Sequence, residues 1–266
     1  MKPVKDKKAL EKRVGRFFSS DMSGRHVVTT FIKYIASAYP TFIFGGMIRD
    51  IALFGLAKFD SDIDIVVDAN QKDLQDLLES YHVGHLVKNK FGGFRFRIQI
   101  FDIDIWSVRD TWAFKNKVVE YTDISSVLDT TLMSWDAILY DVKNGRVICR
   151  DEYFSDLSKN RLELILDTNP NYLGSIVRVY RAIFWKGATY LGPKACKYIL
   201  ESYNKLSKDE IIMYETISFR KKFITSEKID ACTYKILYGE RLFNNDCFIG
   251  DMTEQENQMW LWEPRA

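Results

Sequence analysis

TFIFGGMIRDIALFGLAKFDSDIDIVVD, residues 41–68, changes its period twice within one short stretch. Thr41 to Phe44 reads as a short buried strand, entered after Pro40 closes a helix-like segment over residues 26–38. Gly45-Gly46 interrupts that strand. From Met47 to Phe54 the apolar residues Ile48, Ile51 and Ala52 recur at helical spacing, and Gly55 supplies a C-terminal stop. The period then falls to two. Ile63, Ile65 and Val67 share one face of a strand, while Asp62, Asp64 and Asp68 share the other with Val66. The unit is strand, glycine turn, helix, acidic strand.

Acidic residues on a strand most often keep a solvated face in water. Two carboxylates two residues apart also project from the same face, and their mutual repulsion calls for a cation between them. Mg²⁺, or Mn²⁺ in its place, prefers such oxygen ligands and is commonly shared with substrate phosphates. Phosphoryl transfer of the two-metal kind places the ions about 4 Å apart and needs a third carboxylate. Asp102 and Asp104, on a later strand, are the candidates. Gly45-Gly46 completes the pattern, because it lets a triphosphate approach backbone N–H groups at a helix N-terminus.

Outward from this stretch, QKDLQDLLESY reads as a helix. Residues 94–105 alternate, with Phe94, Phe96, Ile98 and Ile100 on one parity and Phe101, Ile103 and Ile105 on the other. The flip at 100–101 predicts a bulge or tight turn. LYDVKNGRVICR holds Asn-Gly between apolar runs, the signature of a hairpin. After about residue 155 the pattern turns helical, as in LSKNRLELILD and LGSIVRVYRAIFWKGATYL. These signals predict an α+β head with a small mixed or antiparallel sheet and flanking helices over residues 1–152, then an all-helical neck and body over 153–266. The lysine-rich start, within a basic helix over 1–25, reads as frayed and solvated.

The chain has 266 residues, 47% of them hydrophobic, enough for a substantial core. With 38 basic and 36 acidic side chains, net charge alone points to no nucleic-acid, membrane or acidic partner. Cys149, Cys196, Cys232 and Cys247 are scattered, without Cys-x-x-Cys spacing, which fits free thiols in a reducing, cytoplasmic setting and not zinc. His26, His82 and His85 lack metal-site spacing. No apolar run approaches the ~20 residues of a membrane span.

GGMIRDIALFG followed by DSDIDIVV resembles the head of the polymerase-β-type nucleotidyltransferases, in the class II branch of tRNA CCA-adding enzymes and bacterial poly(A) polymerases. KFGGFRFRIQIFDIDIWSVRD resembles the family segment in which the third catalytic aspartate stands five residues before an arginine; this selects Asp104, with Arg109 as the arginine and Asp102 as a bystander. WDAILYDVKNGRVICRDEYFSDL and RVYRAIFW resemble the family's hairpin and neck helix. The likeness covers roughly residues 26–192. It implies that Asp62, Asp64 and Asp104 are catalytic and bind Mg²⁺ or Mn²⁺, and that Gly45, Gly46, Arg49 and Asp50 border the triphosphate of ATP or CTP. Asp60 with Asp62 also forms an Asp-x-Asp at the family's usual distance; Asp62 with Asp64 is preferred because the apolar strand begins directly after them.

The chain departs from the family in two places. Thr130-Thr131-Leu132 stands where an Arg-Arg-Asp triplet is usual. In the neck, Gly174-Ser175 replaces the acidic pair that, with an arginine, reads the incoming base, while Arg178 survives. Arg178 and Arg181 share one helix face with Trp185 a turn on, and serve either as nucleotide contacts or as a solvated face. The implied function is transfer of NMP from an NTP to an RNA hydroxyl, a tRNA 3′ end first. The alternatives are a toxin- or defence-type transferase acting on a protein or small molecule, and an inactive RNA-binding homologue. Lys88, Lys90, Arg95 and Arg97, flanking Phe91, Phe94 and Phe96, read chiefly as a solvated strand face. Trp260 and Trp262 are expected to dock on the body or a partner.

Overall fold

The computed structural model describes residues 3–59, 61–89, 92–240, 242 and 245–253, with the backbone alone for Ser23. Asp60, Lys90, Phe91, Trp260 and Trp262 lie outside them. Two compact units emerge: Met1–Ser158 with Leu164–Thr168, and Lys159–Glu163 with Asn169–Ala266.

The first unit begins with α1 (Lys7–Phe18), whose Asp6 cap accepts the Ala9 amide hydrogen at 2.8 Å. Leu10, Val14 and Phe17 recur along one face and are buried, while Lys7, Lys8, Lys12 and Arg16 are exposed. The basic start is therefore amphipathic and packed, not frayed. Its lysines hide a buried stripe at i, i+4, i+7. Next come α2 (Ser23–Ala38), β1 (Thr41–Phe44), α3 (Gly46–Phe54), β2 (Ile63–Val67) and α4 (Gln71–Ser80). Arg13 of α1 donates to the Ile51 and Ala52 carbonyls at 3.4 and 3.3 Å, satisfying the end of α3.

Strands β3 (Val87–Lys88), β4 (Phe94–Ile98) and β5 (Phe101–Ser107) follow, then the short α5 (Trp112–Lys115), the hairpin β6 (Ile138–Asp141) and β7 (Arg146–Cys149), and α6 (Tyr153–Ser158). The seven strands form one mixed sheet in the order β3-β4-β5-β2-β1-β6-β7, in which only β2 and β5 run parallel. The parity flip is a two-residue turn at Gln99-Ile100, with Gln99 at φ 55°. At the Asn-Gly turn Gly145 takes φ 67°, and the Asp141 carboxylate accepts the Lys143 and Asn144 amides at 3.0 Å.

Register divides the sheet into two faces. Ile43, Ile65, Ile105 and Phe94 stand in one row, with Ile63, Ile103 and Phe96 beside it, all buried on the side that the helices cover. Phe31 of α2 meets Phe96 edge-on at 5.3 Å. On the opposite face Phe44, Asp64, Asp104 and Arg95 form a row across four strands. The next row, with Phe42 and Val66, belongs to an apolar cluster completed by Val108, Phe114, Val127, Leu128, Ala137 and Leu139. Trp106 also lies on this face, and a Cβ built on Gly93 would fall 2.0 Å from its indole nitrogen. Gly93→Ala is expected to lose about 1–3 kcal/mol through overpacking, read as a lower urea midpoint with an unchanged m-value.

The second unit contains β8 (Arg161–Leu162), α7 (Tyr172–Phe184), β9 (Tyr190–Leu191), α8 (Pro193–Lys205), α9 (Lys208–Phe219), α10 (Ser226–Tyr238) and β10 (Cys247–Phe248). It is helical, with the three short strands joined in the order β10-β9-β8. Here the helix expected in LSKNRLELILD is corrected. Asn160 takes φ 53° and ends α6, after which Leu162 and Leu164 are buried at alternate positions, the period of a strand. Ser207 and Glu210 form the reciprocal capping box that starts α9. Among the described residues, no helix is long and apolar enough to cross a membrane.

Candidate active site

The acidic row is built by two neighbouring strands, β2 and β5. Asp64 of β2 and Asp104 of β5 are direct partners across the parallel pair, and Asp62 stands just before β2, one pleat from Asp64 on the same face. Asp104 is buried, Asp64 half-buried, and Asp62 about half exposed with 49% of its side chain accessible. The structure thus places on one face of the sheet the three carboxylates that the sequence singled out.

Their charges are crowded. Burial, then the neighbouring Asp104, Asp62 and Asp136, push the Asp64 carboxyl well above its ordinary value of 3.8, with Arg95 pulling the other way. Arg95 comes from β4, directly opposite Asp104. Its Nε donates to both Asp104 oxygens at 2.9 and 3.1 Å, and its Nη2 donates to Asp104 Oδ2 and, at 3.1 Å, to Asp62 Oδ2. Asp102 pairs instead with Arg97, 3.3 Å away on exposed surface. Arg95 lies on the solvated face expected for this strand, 56% exposed, and there its cation also answers the acidic row.

A second network supports the glycine turn. Gly45 takes φ 70° and ψ −120°, which favours glycine, and its amide donates to the Ile138 carbonyl at 3.0 Å. A Cβ on Gly46 would come within 3.2 Å of the Ser61 Cβ, so the turn and the acidic segment pack closely. Arg49 and Asp50, expected beside the triphosphate, are both buried. Arg49 Nε donates to Asp50 Oδ1 at 2.7 Å, its Nη1 donates to Asp136, and the Ser61 hydroxyl donates to Asp50 Oδ2 at 2.9 Å. Burial opposes the Arg49 charge, but Asp136 and Asp50 more than offset it and hold the guanidinium above its ordinary pKa.

Asp136 and Ser61 are the residues that sequence reasoning missed. Asp136 lies in the 3₁₀ turn Ser134–Asp136, next to the buried Trp135, whose carbonyl accepts the Tyr153 hydroxyl at 3.0 Å. An acid directly after a large aromatic and before an apolar strand was the available signal.

Arg109 is not brought to the acidic row. It lies beyond β5, with Nε 3.9 Å from Asp68 and the guanidinium 4.6 Å from the Tyr121 ring centroid. In the second unit, α7 separates the two neck arginines. Arg178 is exposed and donates to the Ser175 hydroxyl at 3.3 Å. Arg181 is buried, donates to the fully buried Glu215 at 2.9 Å, and lies against Trp185, Phe219 and Phe223. It therefore does not share a solvated face with Arg178. A Cβ on Gly174 would fall 2.4 Å from the Asn171 amide nitrogen and 2.6 Å from the Tyr214 hydroxyl. That position has no room for an acidic side chain without moving both.

The donor set suits a hard divalent cation: all-oxygen, crowded, and partly shielded from water. Among the described residues, however, no three metal-type side chains converge as a ready ion cage. Arg95 stands among them instead.

No family model matches the sequence, and no curated protein does. Solved structures do. A Thermotoga maritima CCA-adding enzyme in complex with tRNA matches with TM-score 0.57 and 20% identity over 91% of this chain and 58% of that one. A CCA-adding enzyme bound to CTP matches with TM-score 0.57 and 18% identity over 86% and 56%. A tRNA nucleotidyltransferase complexed with a primer tRNA and an ATP analogue matches with TM-score 0.50 and 19% identity over 73% and 56%. The chain spans a little over half the length of these proteins, 56–58%. The shared architecture is the α+β nucleotidyltransferase fold, a mixed-sheet head followed by a helical region.

Proposed function

We propose that this protein is a nucleotidyltransferase of the CCA-adding and poly(A) polymerase kind, moving NMP from ATP or CTP onto a hydroxyl of RNA, a tRNA 3′ end first. The observation that carries the proposal is the in-register placement of Asp64 and Asp104 on adjacent parallel strands with Asp62 beside them. The likeness in fold to enzymes holding CTP and tRNA supports it.

Asp62, Asp64 and Asp104 would hold Mg²⁺ or Mn²⁺, which supplies neutralisation of phosphate charge and a more acidic acceptor hydroxyl. The chain's own residues position the partners. The rigid β2–β5 pair fixes the carboxylates, and Phe44 with the apolar cluster behind it walls one side of the row. The Gly45-Gly46 turn borders the triphosphate, shaped from within by Arg49, Asp50, Asp136 and Ser61. In the second unit Arg178 is the neck arginine that stays exposed.

One observation favours a second acceptor class. With Gly174 walled in by Asn171 and Tyr214, the turn bearing Arg178 has a serine in place of a charged base-reading partner. A toxin- or defence-type transferase, acting on a protein or small molecule, needs no such reader. Each α-labelled NTP, offered with Mg²⁺ to tRNA, total RNA and total protein, separates the readings. Label is expected in tRNA from one or two NTPs, at a rate that falls steeply with salt. Label in protein, insensitive to salt, would establish the second reading.

A further inference from the structure

The acidic row already contains a cation. The Arg95 guanidinium grips Asp104 through two nitrogens and reaches Asp62 with one of them, a fork that matches carboxylate geometry in a way a lysine ammonium does not. Its position follows from register, since Arg95 is the cross-strand partner of Asp104, and Asp104 is the partner of Asp64. Yet the side chain is not built in. It is 56% exposed, against 8% for Asp104, so it can swing toward solvent without opening the core.

We propose that Arg95 is a resident counter-ion of Asp62 and Asp104 that a divalent cation displaces on loading. This rests on the reading of the three aspartates as metal ligands. Without metal, the guanidinium offsets the repulsion among carboxylates that strand register forces together. A divalent cation bound by the same oxygens removes the reason for Arg95 to stay, because guanidinium and metal compete for the same lone pairs. Metal affinity is then set partly by the pair that must be broken.

The test is Mn²⁺ binding to the full metal-free chain, followed by the electron paramagnetic resonance of free Mn²⁺. Arg95→Gln is expected to bind Mn²⁺ roughly three- to tenfold more tightly than wild type, the scale set by a partly exposed ion pair, with Arg95→Lys between them. Arg95→Gln should also melt at a lower temperature without Mn²⁺ and gain more from its addition. Equal or weaker affinity in Arg95→Gln, with wild-type binding intact, overturns the counter-ion role and leaves the three-aspartate reading standing. Mn²⁺ binding that persists in Asp62→Ala/Asp64→Ala, or that is absent from both wild type and Arg95→Gln, overturns the reading of the aspartates themselves.

Discussion

Asp64→Asn is expected to abolish nucleotide transfer while making the metal-free protein more stable. Charge stabilisation by a held metal is worth several kcal/mol, and each ~1.4 kcal/mol is tenfold in rate, so the loss should be on the order of a thousandfold or more. Stability moves the other way because the Asp64 carboxyl is held well above 3.8 by burial and by Asp104 and Asp62. The sign follows from linkage. The folded state binds the Asp64 proton more tightly than the unfolded chain, so this residue costs nothing below the ordinary carboxylate range. Its cost grows as pH rises from there toward the raised folded value and is complete above it. Asn, which carries no charge, removes that cost. At neutral pH the variant should gain roughly 0.5–2 kcal/mol, the scale of a single favourable charge change, and the gain should vanish at acid pH. Thermal melting of both proteins across that range checks it; a less stable variant at neutral pH would contradict the crowded-carboxylate picture.

Glu215→Gln is expected to cost the second unit about 3–5 kcal/mol, the usual consequence of leaving one member of a buried ion pair alone. Glu215 is fully buried, accepts from Arg181 at 2.9 Å, and also takes the Phe223 and Ile224 amides at 3.0 and 2.9 Å. Those two amides belong to the α9–α10 connection, so the same carboxylate fixes α7 to α9 and shapes the loop beyond. Replacing both partners with apolar residues of similar volume should recover much of the loss. Arg178→Ala should leave the melting temperature nearly unchanged and raise KM for the NTP. Denaturant unfolding of the three variants distinguishes a structural Arg181 from a nucleotide-binding one. A Glu215→Gln protein as stable as wild type would mean that Arg181 is not held as described.

The parts of this fold that were legible in the sequence are those set by local period and turn chemistry. Gly45-Gly46 and Gly55 punctuate the strand–helix–strand unit because their backbones demand it, with Gly45 and Gly55 at φ 70° and 79°. The turn at Gln99-Ile100 was visible in a change of parity. The role of Arg95 was recoverable too: counting back from Ile98 opposite Phe101 places Arg95 opposite Asp104. Periodicity alone hides it, because an arginine alternating with phenylalanines has the pattern of any strand with one solvated face.

What remained hidden depends on distant partners. Helical spacing puts Arg178 and Arg181 together, but Glu215 reaches Arg181 from another helix and withdraws it from solvent. Asp136 is far in sequence from Arg49, and no local pattern links them. RLELILD satisfies a helical reading until Asn160 in the left-handed region breaks the chain direction, and the alternate burial of its leucines then decides for extended structure.

The most direct measurement pairs two products of one reaction: α-label transferred from ATP or CTP to acceptor, and pyrophosphate released, with Mg²⁺, by wild type and by Asp62→Ala/Asp64→Ala. The expected result is one-to-one appearance of label and pyrophosphate in wild type and loss of both in the variant, with its fold intact by circular dichroism. Transfer by the variant at the wild-type rate, or pyrophosphate without transferred label, would contradict the assignment of nucleotide transfer to these aspartates.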